Sequence, residues 1–320
     1  MKHIYVSFCL LFVLCFTIVS SAQTIRVTLL GTGNPQPTIE RFGPGTLVEA
    51  GGQSFLFDCG RGISQRLWQK GIPLGKVHKL FLTHLHSDHI VGIPDFWLTG
   101  WLPANFGKRS VPLKVWGPSG TKHMMQSLEE AFTWDIKTRL GEKNKKDSGI
   151  MVIAADIMEG VVYEQDGIKI TAFTVNHSDF IESALGYRVD YGGKSVVISG
   201  DTRYSENLIK FAKGADVLIH EVAVARPELL EKSAIARQIL SFHTSPEEAG
   251  KVFAKVKPKL AVYNHIALTS TDPTIPAPTI EDVIPRTRKY FDGSIEVGED
   301  LMMIEITDKV LIQRFNAIKK

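Results

Sequence analysis

The chain has 320 residues, and its 37 Lys and Arg residues nearly balance its 34 Asp and Glu residues, giving a formal net charge of +3. This balance argues against nucleic acid as the main partner, because proteins that bind nucleic acid usually carry a strong basic excess. The apolar fraction of 44% is ordinary for a globular protein with a substantial core.

The first 22 residues have the pattern of a cleaved export signal. Residues 1–3 are a short basic start, residues 4–19 are apolar, and residues 20–22 are small, as signal peptidase requires. The apolar run is short for a membrane span, so an uncleaved anchor is the less favoured alternative. We predict a signal peptide over 1–22, an exported protein in the periplasm or the medium, and no stable membrane anchoring. The mature chain then keeps Cys59 alone, which we expect to be a buried small apolar residue.

Strand-like apolar runs alternate with helical patterns along the mature chain. In chain order, the pattern predicts strands over 25–30, 55–57, 79–82, 113–116, 161–163, 168–173, 187–190, 195–199, 217–219, 259–263, 295–297, 301–306 and 310–313. Asp166-Gly167 and Gly192-Gly193 predict hairpins. Helices are predicted over 62–70, 119–134, 207–213, 229–240 and 283–291, with a further start at the capping box of Ser245 and Glu248. We expect one domain over 23–320, a sandwich of sheets flanked by helices.

An H-x-H-x-D-H motif over residues 84–89 follows the strand predicted over 79–82. At the end of a strand, His84 and His86 point to the same side, and Asp88 and His89 lie in the turn that follows. Imidazole nitrogens and a carboxylate at this spacing suit zinc and other divalent metals of borderline softness. The alternative is a set of polar residues in a surface loop, which rarely has this spacing.

Further ligand-type side chains come at the ends of later apolar runs, namely His177, Asp201 and His265. Loops at strand ends are where a sandwich collects the residues of a site. A single histidine there would be an ordinary polar terminus. Three such groups, in a chain that already carries the first motif, indicate metal ligands.

The order of these motifs resembles the metallo-β-lactamase superfamily, hydrolases with two metals. Residues 31–35 (GTGNP), 58–62 (DCGRG), 117–118 (GP) and 186–188 (GYR) resemble its ribonuclease Z-like branch. Within that branch, residues 43–48 (GPGTLV) and 199–203 (SGDTR) are most similar to the secreted arylsulfatase-like group. The resemblance covers nearly the whole mature chain. It implies an α/β fold, an αββα sandwich of two mixed β-sheets flanked by helices.

The resemblance also implies a cofactor of two divalent metal ions, with zinc as the expected metal. Carried over position by position, His84, His86 and His177 would hold the first ion. Asp88, His89 and His265 would hold the second, and Asp201 would bridge them. Turnover would depend on Asp88.

Other candidate catalytic residues come from the same resemblance. His243 matches a histidine that ribonuclease Z relatives keep beside the leaving group without binding metal. The alternative is a helix-entry histidine bonded to the backbone. His220 and Glu221 resemble the branch's His-Glu pair, whose carboxylate would orient His243 or act from behind the ligands. A structural polar pair is the alternative.

The resemblance implies hydrolysis of aryl sulfate esters by a hydroxide that bridges the two metals. The alternative on the same site is a phosphodiesterase or a ribonuclease Z-like nuclease, and a metal-binding module without catalysis is a third. The predicted export signal and the lack of a Gly/Pro-rich basic arm oppose the nuclease. We therefore expect a small-molecule ester substrate and no nucleic acid, and we leave a homodimer open. An aryl-binding wall or, alternatively, core is predicted at Phe96, Trp97, Trp101 and Phe106.

Overall fold

The computed structural model of the protein describes residues 23–141, 147–181 and 183–315. The predicted signal peptide over 1–22 lies outside these residues. Among the helices that the structure describes, none combines the length and the apolarity needed to cross a membrane.

Two β-sheets lie face to face, and each mixes parallel and antiparallel neighbours. From edge to edge, the first sheet contains β15 (Val310–Gln313), β14 (Met303–Ile306), β1 (Ile25–Gly31), β2 (Gly45–Ala50), β3 (Gln53–Phe57), β4 (Lys79–Phe81), β5 (Leu113–Gly117) and β6 (Val152–Asp156). The second contains β13 (Ile295–Val297), β12 (Leu260–Thr269), β11 (Val217–Ala225), β10 (Lys194–Ile198), β9 (Ala184–Tyr191), β8 (Ile168–Val175) and β7 (Gly160–Gln165).

Helices cover the outer face of each sheet. Those described are α1 (Ile63–Gln69), α2 (Ser87–Ile90), α3 (Ile93–Trp101), α4 (Thr121–Ala131), α5 (Thr133–Leu140), α6 (Glu206–Ala212), α7 (Pro227–Lys232), α8 (Ala234–Ser241), α9 (Pro246–Val256) and α10 (Ile280–Thr287), with a 3-10 turn over Leu74–Lys76. Helices α1, α3 and α4 pack on the first sheet, and α6, α9 and α10 pack on the second. The predicted αββα sandwich of two mixed sheets is confirmed.

The alternation of side chains along the strands explains these layers. In β3, Phe55 and Phe57 point between the sheets, and Leu56 points to the outer helices. In β12, Val262 points between the sheets, and Tyr263 packs against the helical layer outside. Because side chains alternate between the two faces of a strand, a strand covered on both faces needs a continuous apolar run. Such runs are what made these strands predictable.

The predicted hairpins and the predicted helix start are confirmed. Asp166-Gly167 joins β7 to β8, and Gly192-Gly193 joins β9 to β10, with positive φ at both residues of each pair. Such pairs fit the tight turns that match the twist of a hairpin. At the start of α9, Ser245 Oγ accepts from Glu248 N, and Glu248 Oε2 accepts from Ser245 N at 3.0 Å.

Several element boundaries differ from the predictions. The helix predicted over 229–240 is divided into α7 and α8, because Ser233 adopts an extended backbone and caps α8 through Ala236 N. The helix predicted over 119–134 is likewise divided at Phe132. Strands β2 and β6 were not predicted. Strand β6 lies at a sheet edge and is only partly buried, so its apolar signal is weak.

Parallel strands bring the candidate site to one edge of the sandwich. Strands β3, β4 and β5 run parallel in the first sheet, and β10, β11 and β12 run parallel in the second. His84 follows β4 and Asp201 follows β10, while Glu221 and His265 lie within β11 and β12. Because the carboxyl ends of parallel strands lie at the same edge, these four side chains come together.

Candidate metal centre and active site

The predicted metal ligands form two trios in the structure. His84, His86 and His177 present nitrogen atoms that lie within 4.8 Å of one another. Asp88, His89 and His265 present an oxygen and two nitrogens within the same limit. Each trio matches the set that the resemblance assigned to one metal ion.

Asp201 lies between the two trios. Its Oδ2 is 3.9 Å from His84 Nε2 and 3.9 Å from His177 Nε2, which belong to the first trio. The same oxygen is 3.4 Å from His89 Nε2 and 3.2 Å from His265 Nε2, which belong to the second. One carboxylate therefore reaches both groups, which is the position of a bridging ligand.

The chemistry of these side chains fits divalent metal ions. Within the described ranges, buried side-chain atoms without a hydrogen bond include His84 Nε2, His89 Nε2 and Asp201 Oδ1. Burial lowers the pKa of His84 well below its usual value, which favours the neutral imidazole that binds metal. Burial alone would raise the pKa of Asp201, but the charges of His265 and His89 hold it well below its usual range. Imidazole nitrogens together with carboxylate oxygens are a donor set that zinc accepts.

A residue that the sequence reasoning missed orients the second trio. Asp58 Oδ2 accepts a hydrogen bond from His89 Nδ1 at 2.8 Å and from Thr83 Oγ1 at 2.9 Å. Asp58 Oδ1 accepts from the backbone N of Thr83 at 2.8 Å. A carboxylate behind a metal-binding histidine fixes the tautomer and the angle of its ring. The available signal was an acid directly after β3, in the DCGRG motif.

His265 reaches the cluster through a β-bulge. Strand β12 pairs Asn264 with Glu221 and Ile266 with Val222, so His265 is the extra residue, and its φ is 42°. A bulge re-aims a side chain beside a site. The strand predicted to end at residue 263 in fact continues to Thr269, and His265 is not at its end.

His243 and Glu221 form a hydrogen-bonded pair beside both trios. Glu221 Oε1 accepts from His243 Nδ1 at 3.2 Å and from the backbone N of Thr202 and of Thr244. Burial lowers the pKa of His243, but the charge of Glu221 and this hydrogen bond outweigh burial and raise it to about 9. The His243 ring lies 5.0 Å from that of His177. The pair therefore places a protonated imidazole beside the candidate metal ligands.

His220 points away from the cluster. Its ring packs edge-on against Phe253 of α9, with the ring centroids 5.7 Å apart, and its Nδ1 donates to the backbone carbonyl of Glu221. None of the candidate metal groupings found in the described part of the chain includes it. Neighbouring residues of a strand face opposite sides, so Glu221 meets the site and His220 meets the helices. A catalytic role for His220 stays an untested prediction.

A cavity of about 350 Å³ opens beside the cluster. Its lining includes proposed ligands, among them His86, His177 and Asp201, and the apolar side chains of Ile239, Phe242 and Leu268. The predicted aryl-binding wall is wrong, because the lining of this cavity includes none of Phe96, Trp97, Trp101 and Phe106. Phe96, Trp97 and Trp101 belong to the core under the first sheet, and Phe106 packs against Trp68. Cys59 is buried, as predicted.

A family model, that of the beta-lactamase superfamily domain, matches residues 53–266, more than half of the chain. The chain belongs to this superfamily. Its predicted metallo-β-lactamase fold is also that of YhfI from Bacillus subtilis, with a TM-score of 0.68 and 19% identity over 88% of this chain and 100% of YhfI. Human tRNase Z, short form, has a TM-score of 0.61 and 21% identity over 87% of this chain and 98% of its own.

Curated relatives of this superfamily member are named Ribonuclease Z. That of Mycolicibacterium gilvum (strain PYR-GCK) is 35% identical over 284 residues, which cover 88% of this chain and 96% of the relative. That of Mycobacterium marinum (strain ATCC BAA-535 / M) is 34% identical, over 88% of this chain and 99% of the relative. The ribonuclease Z-like resemblance and the metal-dependent hydrolase chemistry are thus supported, and the secreted arylsulfatase-like group is not.

These relatives correct the predicted reaction and the predicted absence of a nucleic-acid partner. Aryl sulfate hydrolysis by an arylsulfatase-like enzyme is contradicted, because the relatives are named for cleaving RNA. The expectation that nucleic acid is not a partner is contradicted for the same reason. It rested on the predicted export signal, on the lack of a Gly/Pro-rich basic arm and on a net charge of +3, which describes the whole chain and not the field at one site. A signal peptide and a periplasmic location conflict with these relatives too, and no described residue tests the export of the chain.

Proposed function

We propose that the protein is a metal-dependent ribonuclease that hydrolyses a phosphodiester bond of RNA. The observation that carries this proposal is the position of Asp201 between the two ligand trios, next to the His243–Glu221 pair. This arrangement suits a tetrahedral phosphoryl centre, whose charge must be neutralised and whose leaving oxygen needs a proton. The relatives named Ribonuclease Z support RNA as the source of that phosphodiester.

The two trios are proposed to hold zinc ions. Five of the proposed ligands are histidines, two are aspartates, and none is a thiolate. Zinc binds imidazole nitrogens and carboxylate oxygens, so this set of donor atoms suits it. When bound, such ions supply Lewis acidity, which lowers the pKa of water and neutralises the charge of phosphoryl oxygens. Asp201 keeps the trios in a fixed relation to each other, because its Oδ2 approaches two imidazoles of each trio.

His243 is proposed as the proton donor to the leaving oxygen. It lines the cavity together with the proposed ligands, and Glu221 keeps its imidazole protonated at neutral pH. Backbone N–H groups of Thr202 and Thr244 hold the Glu221 carboxylate at 3.1 and 3.0 Å, so the donor has a fixed direction. Glu221 is thus a positioning residue, and His243 is the group that meets the substrate.

The test uses the full chain with its metal content measured, and a tRNA transcript that carries extra nucleotides beyond its mature ends. We expect cleavage at a defined phosphodiester bond and loss of this cleavage in Asp201→Asn. His123→Ala is the matched control, because His123 is exposed on α4 and belongs to neither trio. Its cleavage rate should equal that of the wild type.

The same preparation is offered bis(p-nitrophenyl) phosphate in parallel. Hydrolysis of this small diester with no cleavage of any RNA would overturn the proposal in favour of a phosphodiesterase for small substrates. Cleavage of both, with a higher kcat/KM for the RNA, would support it.

A further inference from the structure

The cavity beside the proposed metal ligands has an aromatic wall residue with no part in metal binding or proton donation. Among the described residues that line the cavity, Phe242 is the aromatic one apart from the histidines. Ile239 and Leu268 extend the apolar surface next to it. The volume, about 350 Å³, lies at the lower end of the range for small-ligand pockets. It therefore suits one flat group and not a helical stretch of RNA.

The backbone of Phe242 is hydrogen-bonded to a proposed metal ligand, His177. The Phe242 carbonyl accepts a hydrogen bond from His177 Nδ1 at 2.8 Å, and the Phe242 ring centroid lies 6.5 Å from that of His177. The ring and the metal cluster therefore stand in a fixed relation. A group that stacks on this ring is held next to whatever reacts at the cluster.

Arg203 contacts the Phe242 ring and helps to hold it in place. The guanidinium carbon of Arg203 lies 5.6 Å from the ring centroid, a cation–π distance. Arg203 is fixed in turn, since its Nε donates to Ser241 O at 2.6 Å and its Nη1 pairs with Asp179 at 2.9 Å. Phe180, which is 84% exposed, meets the Phe242 ring edge-on at 6.5 Å. A ring held this way loses little conformational entropy on stacking.

We propose that Phe242 is a stacking platform for the nucleobase next to the scissile phosphodiester. This rests on the proposed ribonuclease function. A phosphate at the cluster carries a nucleoside on each side, and the cavity continues from the cluster to Phe242. Unpaired bases of RNA are commonly held by stacking on aromatic side chains, and such stacking tolerates any base. The platform therefore recognises an unpaired nucleotide without reading its identity.

The kinetic test removes the base from one nucleotide at a time. The tRNA transcript is prepared with an abasic ribose on either side of the cleaved bond. We expect one of the two substitutions to lower the kcat/KM of the wild type by about tenfold. Phe242→Leu keeps an apolar side chain without a ring. It should cleave the parent RNA about tenfold more slowly and should no longer distinguish it from that abasic RNA.

Two further variants serve as controls. Phe242→Tyr retains the ring and should retain the preference for the base. Trp134→Ala removes an aromatic side chain that is 84% exposed on α5, and it should behave as the wild type on all substrates. Metal content is measured for each variant, and an equal content shows that the loss of the ring did not disturb His177.

A second readout needs no turnover. Each product strand of the cleavage is made with the fluorescent base 2-aminopurine at its cleaved end and is mixed with the metal-loaded protein. Stacking quenches this fluorescence, so one of the two strands should be quenched by the wild type and by Phe242→Tyr. Phe242→Leu should leave it bright.

The outcomes separate this platform from the ribonuclease function. If the wild type cleaves both abasic transcripts as fast as the parent, or if Phe242→Leu keeps the preference, the platform is overturned and the ribonuclease stands. If the wild type cleaves none of the transcripts, the ribonuclease function fails and the platform fails with it.

Discussion

Asp58 and His89 are joined by a hydrogen bond of 2.8 Å between Oδ2 and Nδ1, although 31 positions separate them in the chain. Both side chains are almost fully buried. Asp58 has a φ of 59°, in the left-handed region that Asp and Asn adopt more readily than most other residues. This backbone turns the carboxylate from the end of β3 toward the metal motif. The pair connects the fold of the first sheet to the orientation of a proposed metal ligand.

Asp58→Asn should weaken metal binding while the fold survives. Asn tolerates the same backbone, but it removes the charge that orients His89, so we expect the affinity for the second metal to fall about 10- to 100-fold. This affinity is measured by letting the protein compete with a chromogenic chelator for the metal. Asp292→Asn, at an exposed position that belongs to neither trio, is the control. An unchanged affinity in Asp58→Asn would show that His89 needs no partner.

His86→Ala should abolish turnover without harming the fold. His86 is exposed, unlike the other imidazoles of its trio, so truncating it leaves the core intact. Loss of one ligand should lower kcat by more than about 100-fold, since even partners behind the ligands matter 10- to 100-fold. The same loss is expected for Asp88→Ala. Full activity in either variant, with the metal content unchanged, would refute the proposed ligand set.

Glu221→Gln should move the alkaline limb of the pH–rate profile. The pKa of His243 is about 9 because the charge of Glu221 outweighs burial. The protonated form donates, so activity is present below this pKa and is lost as the pH rises through it. Gln can still accept from the N–H groups of Thr202 and Thr244, but it carries no charge, so the pKa of His243 falls.

The measurement for this prediction is kcat over a pH range that extends to both sides of about 9, the pKa at which His243 deprotonates. The midpoint of the alkaline limb should lie at a lower pH in Glu221→Gln than in the wild type. An identical midpoint would mean that His243 does not supply the proton. Glu228→Gln, at an exposed position of α7, should leave the profile unchanged.

Ser245→Ala should lower stability and spare the metal site. The substitution removes the hydroxyl that accepts from Glu248 N at the start of α9, so the free energy of unfolding should fall by about 1 kcal/mol. Thermal unfolding measures this as a drop in Tm of about 2–4 °C. Ser119→Ala, at an exposed position outside the helices, should leave Tm unchanged. Equal Tm values for both variants would contradict a stabilising cap.

The αββα architecture was predictable because local sequence patterns indicate its strands, turns and helix starts. Buried strands such as β3 and β12 need continuous apolar runs, and tight hairpins need residues such as Gly167 that accept a positive φ. The capping box at Ser245 is likewise a pattern of adjacent residues. Each of these signals lies within a few positions of the chain.

The contacts behind the ligands were not predictable in this way. Asp58 meets His89 across 31 positions, and the carbonyl of Phe242 meets His177 across 65. His265 reaches the cluster through a β-bulge that no local sequence pattern predicts. Such contacts depend on how whole strands are paired and on where their ends lie.

By itself, the sequence determined which side chains are candidates for metal ligands, because His and Asp supply suitable donor atoms and the spacing of residues 84–89 is typical of such ligands. Only the tertiary structure decided that Asp201 reaches both trios, that Glu221 faces the site while His220 faces Phe253, and that Phe242 lines the cavity. The physical reason is that the identity of a single residue sets the type of donor atom that it offers to a metal. The shape of a cavity and the partners of a buried group arise only when distant strands and helices pack together.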